Sequence, residues 1–164
     1  MARTTIIKRY VLKFNAGLLT RIKRSALCLG GEELGFLAVN SQMSVALCRR
    51  RLKDWWQYSQ LVFVGDHETR IVLDPEQFLP MWDLTVGRRL QKVRYSLSLV
   101  SGEMLDIDVF KGSLSGKALA SVTCRDRKRA AKIELPDILG VVCDVSSSKL
   151  YREQSLAVHG WPKE

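Results

Sequence analysis

Two pairs of charged residues carry the most suggestive chemistry in this chain. Lys92 and Arg94 stand two residues apart in one β-rich segment, and Asp106 and Asp108 stand two apart in the next. Alternate residues of a strand project from the same face, so each pair would present two like charges side by side. Guanidinium and ammonium groups bind phosphate oxygens, while paired carboxylates hold a hard divalent cation such as Mg²⁺. Two bases beside two acids therefore suit a triphosphate and its metal. They equally suit a plainer arrangement, cross-strand ion pairs on a solvated sheet face.

The elements that must position these residues read as strands. Segments 4–14, 34–39, 43–51, 60–65, 69–74, 89–99, 103–110 and 118–125 alternate or are β-rich, which is too many for a helical fold. Turn signals separate them, among them Asn15-Ala16-Gly17, Gly30-Gly31, Gly65-Asp66 and Ser101-Gly102. A helix is predicted from Pro75 to Trp82, where proline follows the capping Asp74, and a weaker one over 146–158 with Leu150, Leu156 and Ala157 as its apolar stripe. The expected fold class is mainly β (α+β): a closed antiparallel barrel or tunnel of about eight strands with a few peripheral helices, closure disposing of the sheet edges. The length, 164 residues, predicts a single domain over 1–164.

Composition is ordinary apart from charge. Apolar residues make up 46% and charged residues 26%, enough for an ordered core, but 26 Lys+Arg against 17 Asp+Glu leave a net charge of +9. That excess predicts a polyanionic partner without choosing among phosphorylated metabolites, nucleic acid and an anionic membrane. No apolar run approaches the roughly 18 residues of a membrane-spanning helix, so no membrane partner is expected. The four cysteines (Cys28, Cys48, Cys124, Cys143) form no CxxC pair, and only His67 and His159 could join them, so a zinc site is not expected. Reduced cysteines in a cytoplasmic protein are the expectation. The first 31 residues hold seven bases and no acid, which leaves organelle targeting as a lesser alternative.

Two basic runs stand apart. Residues 49–53 (Arg-Arg-Arg-Leu-Lys) precede Trp55 and Trp56, and residues 125–132 hold five bases and one acid. Either run could meet nucleic acid. Strand alternation sends neighbouring arginines to opposite faces, however, and the tryptophans are expected to pack rather than to stack on bases.

The order of segments adds a resemblance. Lys92-Val93-Arg94-Tyr95, then Leu105 through Phe110 with Gly112, then Leu119 through Thr123, then Leu135-Pro136 and Leu139-Gly140, and finally Leu156-Ala157 with Gly160 and Pro162 resemble the CYTH family. These triphosphate tunnel metalloenzymes include CyaB-type adenylate cyclases, thiamine triphosphatases and inorganic triphosphatases. Upstream, Gly35-Phe36-Leu37, the Ser44–Arg51 strand, and Pro75-Glu76-Gln77-Phe78 before Leu84-Thr85 fit the same pattern. The resemblance implies an active site inside a tunnel. It assigns phosphate or anion binding to Arg9, Arg50, Lys92 and Arg94, metal binding to Glu68, Asp106, Asp108 and Asp144, and the remaining catalytic candidates to Asp106 and Asp108. It implies Mg²⁺ or Mn²⁺ if the protein is active.

Other family positions differ. The ExExK signature of the opening strand reads Thr5, Ile7, Arg9, leaving only the base. Two expected arginines fall on Ala46 and Cys48, an expected base before Gly65 falls on Val64, Arg70 replaces an acid, and an expected acidic pair is Ser121 and Thr123. Hydroxyls bring no charge to a hard cation. The chain is therefore expected to be a degenerate member that binds a triphosphate or other small polyanion with little or no triphosphatase activity. The alternatives are an active metal-dependent phosphohydrolase with a rearranged site and a scaffold that binds nucleic acid or protein through its basic surface.

Overall fold

The computed structural model describes residues 5–163, so Arg3 and Thr4 of the basic first segment lie outside the described residues. Among the described residues nine strands and four α-helices follow one another: β1 (Ile6–Leu12), α1 (Ala16–Ser25), β2 (Leu27–Val39), β3 (Met43–Leu52), β4 (Trp55–Val64), β5 (His67–Leu73), α2 (Pro75–Trp82), β6 (Arg89–Ser98), β7 (Met104–Lys111), β8 (Ala118–Cys124), α3 (Arg127–Ala131), β9 (Val141–Asp144) and α4 (Glu153–His159). Among the described residues no helix is long and apolar enough to cross a membrane.

The protein is mainly β, as the alternation predicts, but the expected closure is corrected. The strands form one sheet in the order β5-β4-β3-β2-β6-β7-β8-β1-β9, with β5 and β9 as open edges. Both edges are protected by means other than pairing. β9 has four residues and a register shift against β1 at Val11/Leu12, so it cannot extend the ladder far. β5 is solvent-exposed along nearly its whole length and carries Glu68 and Arg70. Short or charged edges resist further strand addition.

The chain groups into two compact units. The first comprises the described residues up to Leu29, Val93–Phe110 and Ser115–Ser147; the second comprises Gly30–Lys92, Lys111–Leu114 and the residues from Ser148 onward. In the first, Tyr10, Leu12, Tyr95, Leu105, Ile107, Val109, Ala118, Ala120 and Val122 pack with Leu18 and Ile22 of α1. These strand residues alternate with Arg9, Arg94, Asp106, Asp108 and Ser121, so one sheet face is core and the other polar. In the second unit Phe78 and Trp82 of α2 pack on Leu47, with Leu37, Tyr58 and Leu73 alongside.

Three local readings are revised. Asn15-Ala16-Gly17 is the start of α1: the Asn15 side chain accepts from the Leu18 N–H at 2.7 Å, and Leu18 and Ile22 lie one turn apart on the buried face. Gly30-Gly31 lies inside β2. Gly30 has φ 100°, and a Cβ there would stand 2.5 Å from the Arg51 carbonyl oxygen, so glycine marks a close backbone approach. The basic run at 125–132, which carried no reading of local structure, contains helix α3, begun where the Asp126 carboxylate accepts from the Arg129 N–H. The helix expected over 146–158 shortens to α4, while α2 keeps its predicted bounds.

Candidate functional site

In the first unit, strand register assembles the polar face. Ser121 pairs with Arg9 of β1 on one side and with Asp106 of β7 on the other, so Asp106, Ser121 and Arg9 form one rung across three strands. Ile7 pairs with Thr123 on the neighbouring rung of the same face. Directly paired residues share a face, which places Ile7, Ser121 and Thr123 beside Asp106 and Arg9. Thr5 precedes the strand and is exposed.

Arg94 organises the acids. Its Nε donates to Asp108 Oδ1 at 2.7 Å and its Nη2 to Asp108 Oδ2 at 2.8 Å, a bidentate pair, while Nη1 lies 3.9 Å from Asp106. Ser96 Oγ donates to Asp106 at 3.1 Å. Asp144 is placed elsewhere: Lys8 Nζ donates to it at 2.5 Å, and Lys8 alternates away from Arg9 along β1. Burial pushes the Asp144 carboxyl up, but hydrogen bonds from Lys8 and Ser146 outweigh it and hold the group below its usual range.

The second unit has its own charged face. Glu32, Arg50 and Gln57 form one rung, Leu34, Cys48 and Ser59 the next, and Phe36, Ala46, Leu61 and Arg70 a third. Ala46, Cys48 and Arg50 thus share a face as expected. Val64 does not: it alternates to the opposite side, and Phe63 takes its place, paired with Ser44 and Glu68. Arg50 Nε donates to Glu32 at 2.6 Å. Lys92, almost wholly buried, donates to Glu153 and lies 3.7 Å from the second oxygen of Glu32. Arg70 reaches Ser59 Oγ at 3.1 Å, Cys48 Sγ at 4.0 Å and Glu68 at 3.3 Å. Burial, reinforced by Glu32 and opposed by Arg70 and Lys92, pushes the Cys48 thiol up to about 11, so it stays protonated.

The structure thus gathers Arg9 and Arg94 with Asp106 and Asp108 in the first unit, and Arg50 with Lys92 in the second, where Glu68 faces Arg70. Glu32, Glu153 and Ser96 were missed. Glu32 does alternate with Leu34 and Phe36, but the two glycines before it read as a turn and hid the strand. Glu153 gave no signal beyond being an acid in a first helical turn, a common feature in its own right.

The basic and aromatic run at the end of β3 and the start of β4 is engaged within the second unit. Arg49 binds Glu33 through two nitrogens at 2.8 and 2.6 Å and lies over the rings of Trp56 and Trp82 at 5.4 and 4.8 Å. Trp82 is buried and Trp56 half-buried, as packing residues should be; Trp55, at 57% exposure, is corrected to a surface residue.

Mg²⁺ or Mn²⁺ would require several hard oxygen donors around one point. On the polar face of the first unit the carboxylates are Asp106 and Asp108, and both oxygens of Asp108 already accept from Arg94. Among the described residues, no three of His, Cys, Asp or Glu come together in a way that could hold a metal ion. The donor set, as arranged, does not fit the cation.

No family model matches the chain. An inorganic triphosphatase of Nitrosomonas europaea is 35% identical over 91 residues, 56% of this chain, and the match spans 59% of that relative's length. The crystal structure of the inorganic triphosphatase NE1496 superposes with a TM-score of 0.67 at 25% identity, covering 96% of each chain. Two further structures share the fold at 12% identity: PH1819 from Pyrococcus horikoshii, with a TM-score of 0.60 over 90% of this chain and 96% of that one, and the putative adenylyl cyclase HpAC1 from Hippeastrum, with 0.54 over 78% and 83%. The antiparallel sheet, the segment order and these relatives together support a fold like that of the CYTH-family triphosphate tunnel proteins, here with the sheet left open at its two edges.

Proposed function

We propose that the protein binds a triphosphate or another small polyanion and hydrolyses it little or not at all. The observation that carries this reading is the rung of Asp106, Ser121 and Arg9, with Ile7 and Thr123 beside it. A hydroxyl, an alkyl group and a second hydroxyl stand where the family resemblance calls for carboxylates. Phosphoryl transfer depends on positioning and on neutralising developing charge, largely by metals. A face with two carboxylates, one of them accepting from Arg94 through both oxygens, is poor in metal donors but retains bases. Arg9 and Arg94, and separately Arg50 and Lys92, supply the charge-assisted hydrogen bonds that bind phosphate oxygens. The relationship to an inorganic triphosphatase supports the ligand class. Four free cysteines fit a reducing compartment, the cytoplasm.

Titration calorimetry with tripolyphosphate in EDTA tests the reading, together with phosphate release in Mg²⁺ and Mn²⁺. Binding without metal and no release is the expected result; binding that requires metal, or none at all, overturns it. A second reading, an active metal-dependent hydrolase, is favoured by the identity to the Nitrosomonas enzyme and by the survival of Asp106 and Asp108. Metal-dependent release that disappears in Asp106→Asn would establish it instead.

A further inference from the structure

The charged face of the second unit is neutral within itself: Arg50, Arg70 and Lys92 stand against Glu32, Glu68 and Glu153. An anion drawn to Lys92 therefore meets a cation that already has partners. The Lys92 side chain is 1% exposed, and nothing reaches its ammonium unless a neighbour moves.

The two carboxylates at Lys92 are held differently. Glu32 is 4% exposed, sits in the long strand β2, and is bound to Arg50 of the paired strand. Glu153 is 23% exposed and opens the seven-residue helix α4, whose N-cap residue, Arg152, makes no side-chain cap bond and is instead paired with Asp66 at 3.3 Å. Glu153 is the carboxylate that an incoming anion can exchange with from solvent. A buried cation cannot be left unpaired without a large penalty, so the incoming group must replace the departing carboxylate with equal or greater charge. Orthophosphate brings little more than Glu153 already supplies, whereas a polyphosphate brings several charged oxygens.

We infer that Glu153 is a specificity-determining residue: it competes with the ligand for Lys92 and sets a charge threshold that tripolyphosphate passes more readily than pyrophosphate or orthophosphate. This rests on the reading of the chain as a polyanion binder. The test compares affinities for orthophosphate, pyrophosphate and tripolyphosphate in the wild type, Glu153→Gln and Glu153→Asp. Glu153→Gln removes the competing charge and should tighten pyrophosphate roughly tenfold, the loss of about one charged hydrogen bond, while tightening tripolyphosphate less. The preference for the longer ligand then shrinks. Glu153→Asp keeps the charge but withdraws it by one methylene, and should fall between the two. A preference unchanged from wild type in both variants, with tripolyphosphate still bound, overturns the inference and leaves the proposed function standing. Failure of all three proteins to bind any polyphosphate overturns the proposed function itself.

Discussion

Arg94 in the first unit and Lys92 in the second are two residues apart on β6, yet their surroundings differ. Arg94 is partly solvent-exposed and grips Asp108 through two hydrogen bonds, with Asp106 and Ser96 alongside. Lys92 is buried between Glu32 and Glu153, and Glu32 is in turn bound by Arg50. A polar group that water can reach loses little when its partner is removed; one that water cannot reach loses its whole solvation. Loss of a partner should therefore cost less at Arg94, which water reaches, than at Lys92, which it does not.

Thiol chemistry gives the largest contrast. Cys143, on the exposed edge strand β9 of the first unit, and Cys28 should be alkylated readily, whereas Cys48, buried beside Arg70, should lag. With the Cys48 thiol near 11, its thiolate at pH 8 is on the order of a hundredfold scarcer than that of an ordinary cysteine, before burial slows the reagent further. Mass-spectrometric alkylation rates on the native protein check this; comparable rates for Cys48 and Cys143 would mean that the second unit is open.

Removing the shared acid should cost the most stability. Glu32→Gln leaves Arg50 without its carboxylate and Lys92 with Glu153 alone, a loss of about 3–5 kcal/mol in denaturant unfolding if the network is as dry as its burial implies. In the first unit, Asp108→Asn deprives Arg94 of its bidentate partner, but solvent and Asp106 remain, so about 1–3 kcal/mol is expected. Equal losses in the two variants would erase the distinction between the units.

The smallest effect concerns the exposed pair of Lys8 and Asp144. The Asp144 carboxyl lies below its usual range when folded, so its contribution to stability is fully present above the ordinary carboxylate pKa and fades as pH falls through the lowered one. Asp144→Asn should flatten the stability profile below about pH 4 and leave it unchanged near neutrality, because such exposed pairs contribute little. A variant as acid-sensitive as the wild type would show that the acid response arises elsewhere.

Much of the fold was legible in local alternation. Asp106 and Asp108 do share a face opposite Leu105, Ile107 and Val109, and Pro75 does begin a helix after Asp74. α1 escaped because its capping asparagine and the glycine two residues later are also turn formers, and only burial of Leu18 and Ile22 distinguishes the outcomes. β9 escaped because four exposed residues have no period to detect. At the candidate site, Lys92 and Arg94 could be named from residue type and spacing and Arg94's partner Asp108 with them, Arg9 and Arg50 came only from the family resemblance, and the partners Glu32 and Glu153 could not be named.

By itself the sequence determined the strand periodicity, the excess of positive charge and the pairing of Lys92 with Arg94 and of Asp106 with Asp108 on common strand faces, since all of these are properties of residue type and near neighbours. Tertiary structure alone decided that the sheet keeps two open edges, that Ser121 stands between Asp106 and Arg9, and that Lys92 meets a glutamate 61 residues away. Strand register and helix docking bring distant segments together through the summed burial of many side chains, so the partner of any one charge is set by the whole packing.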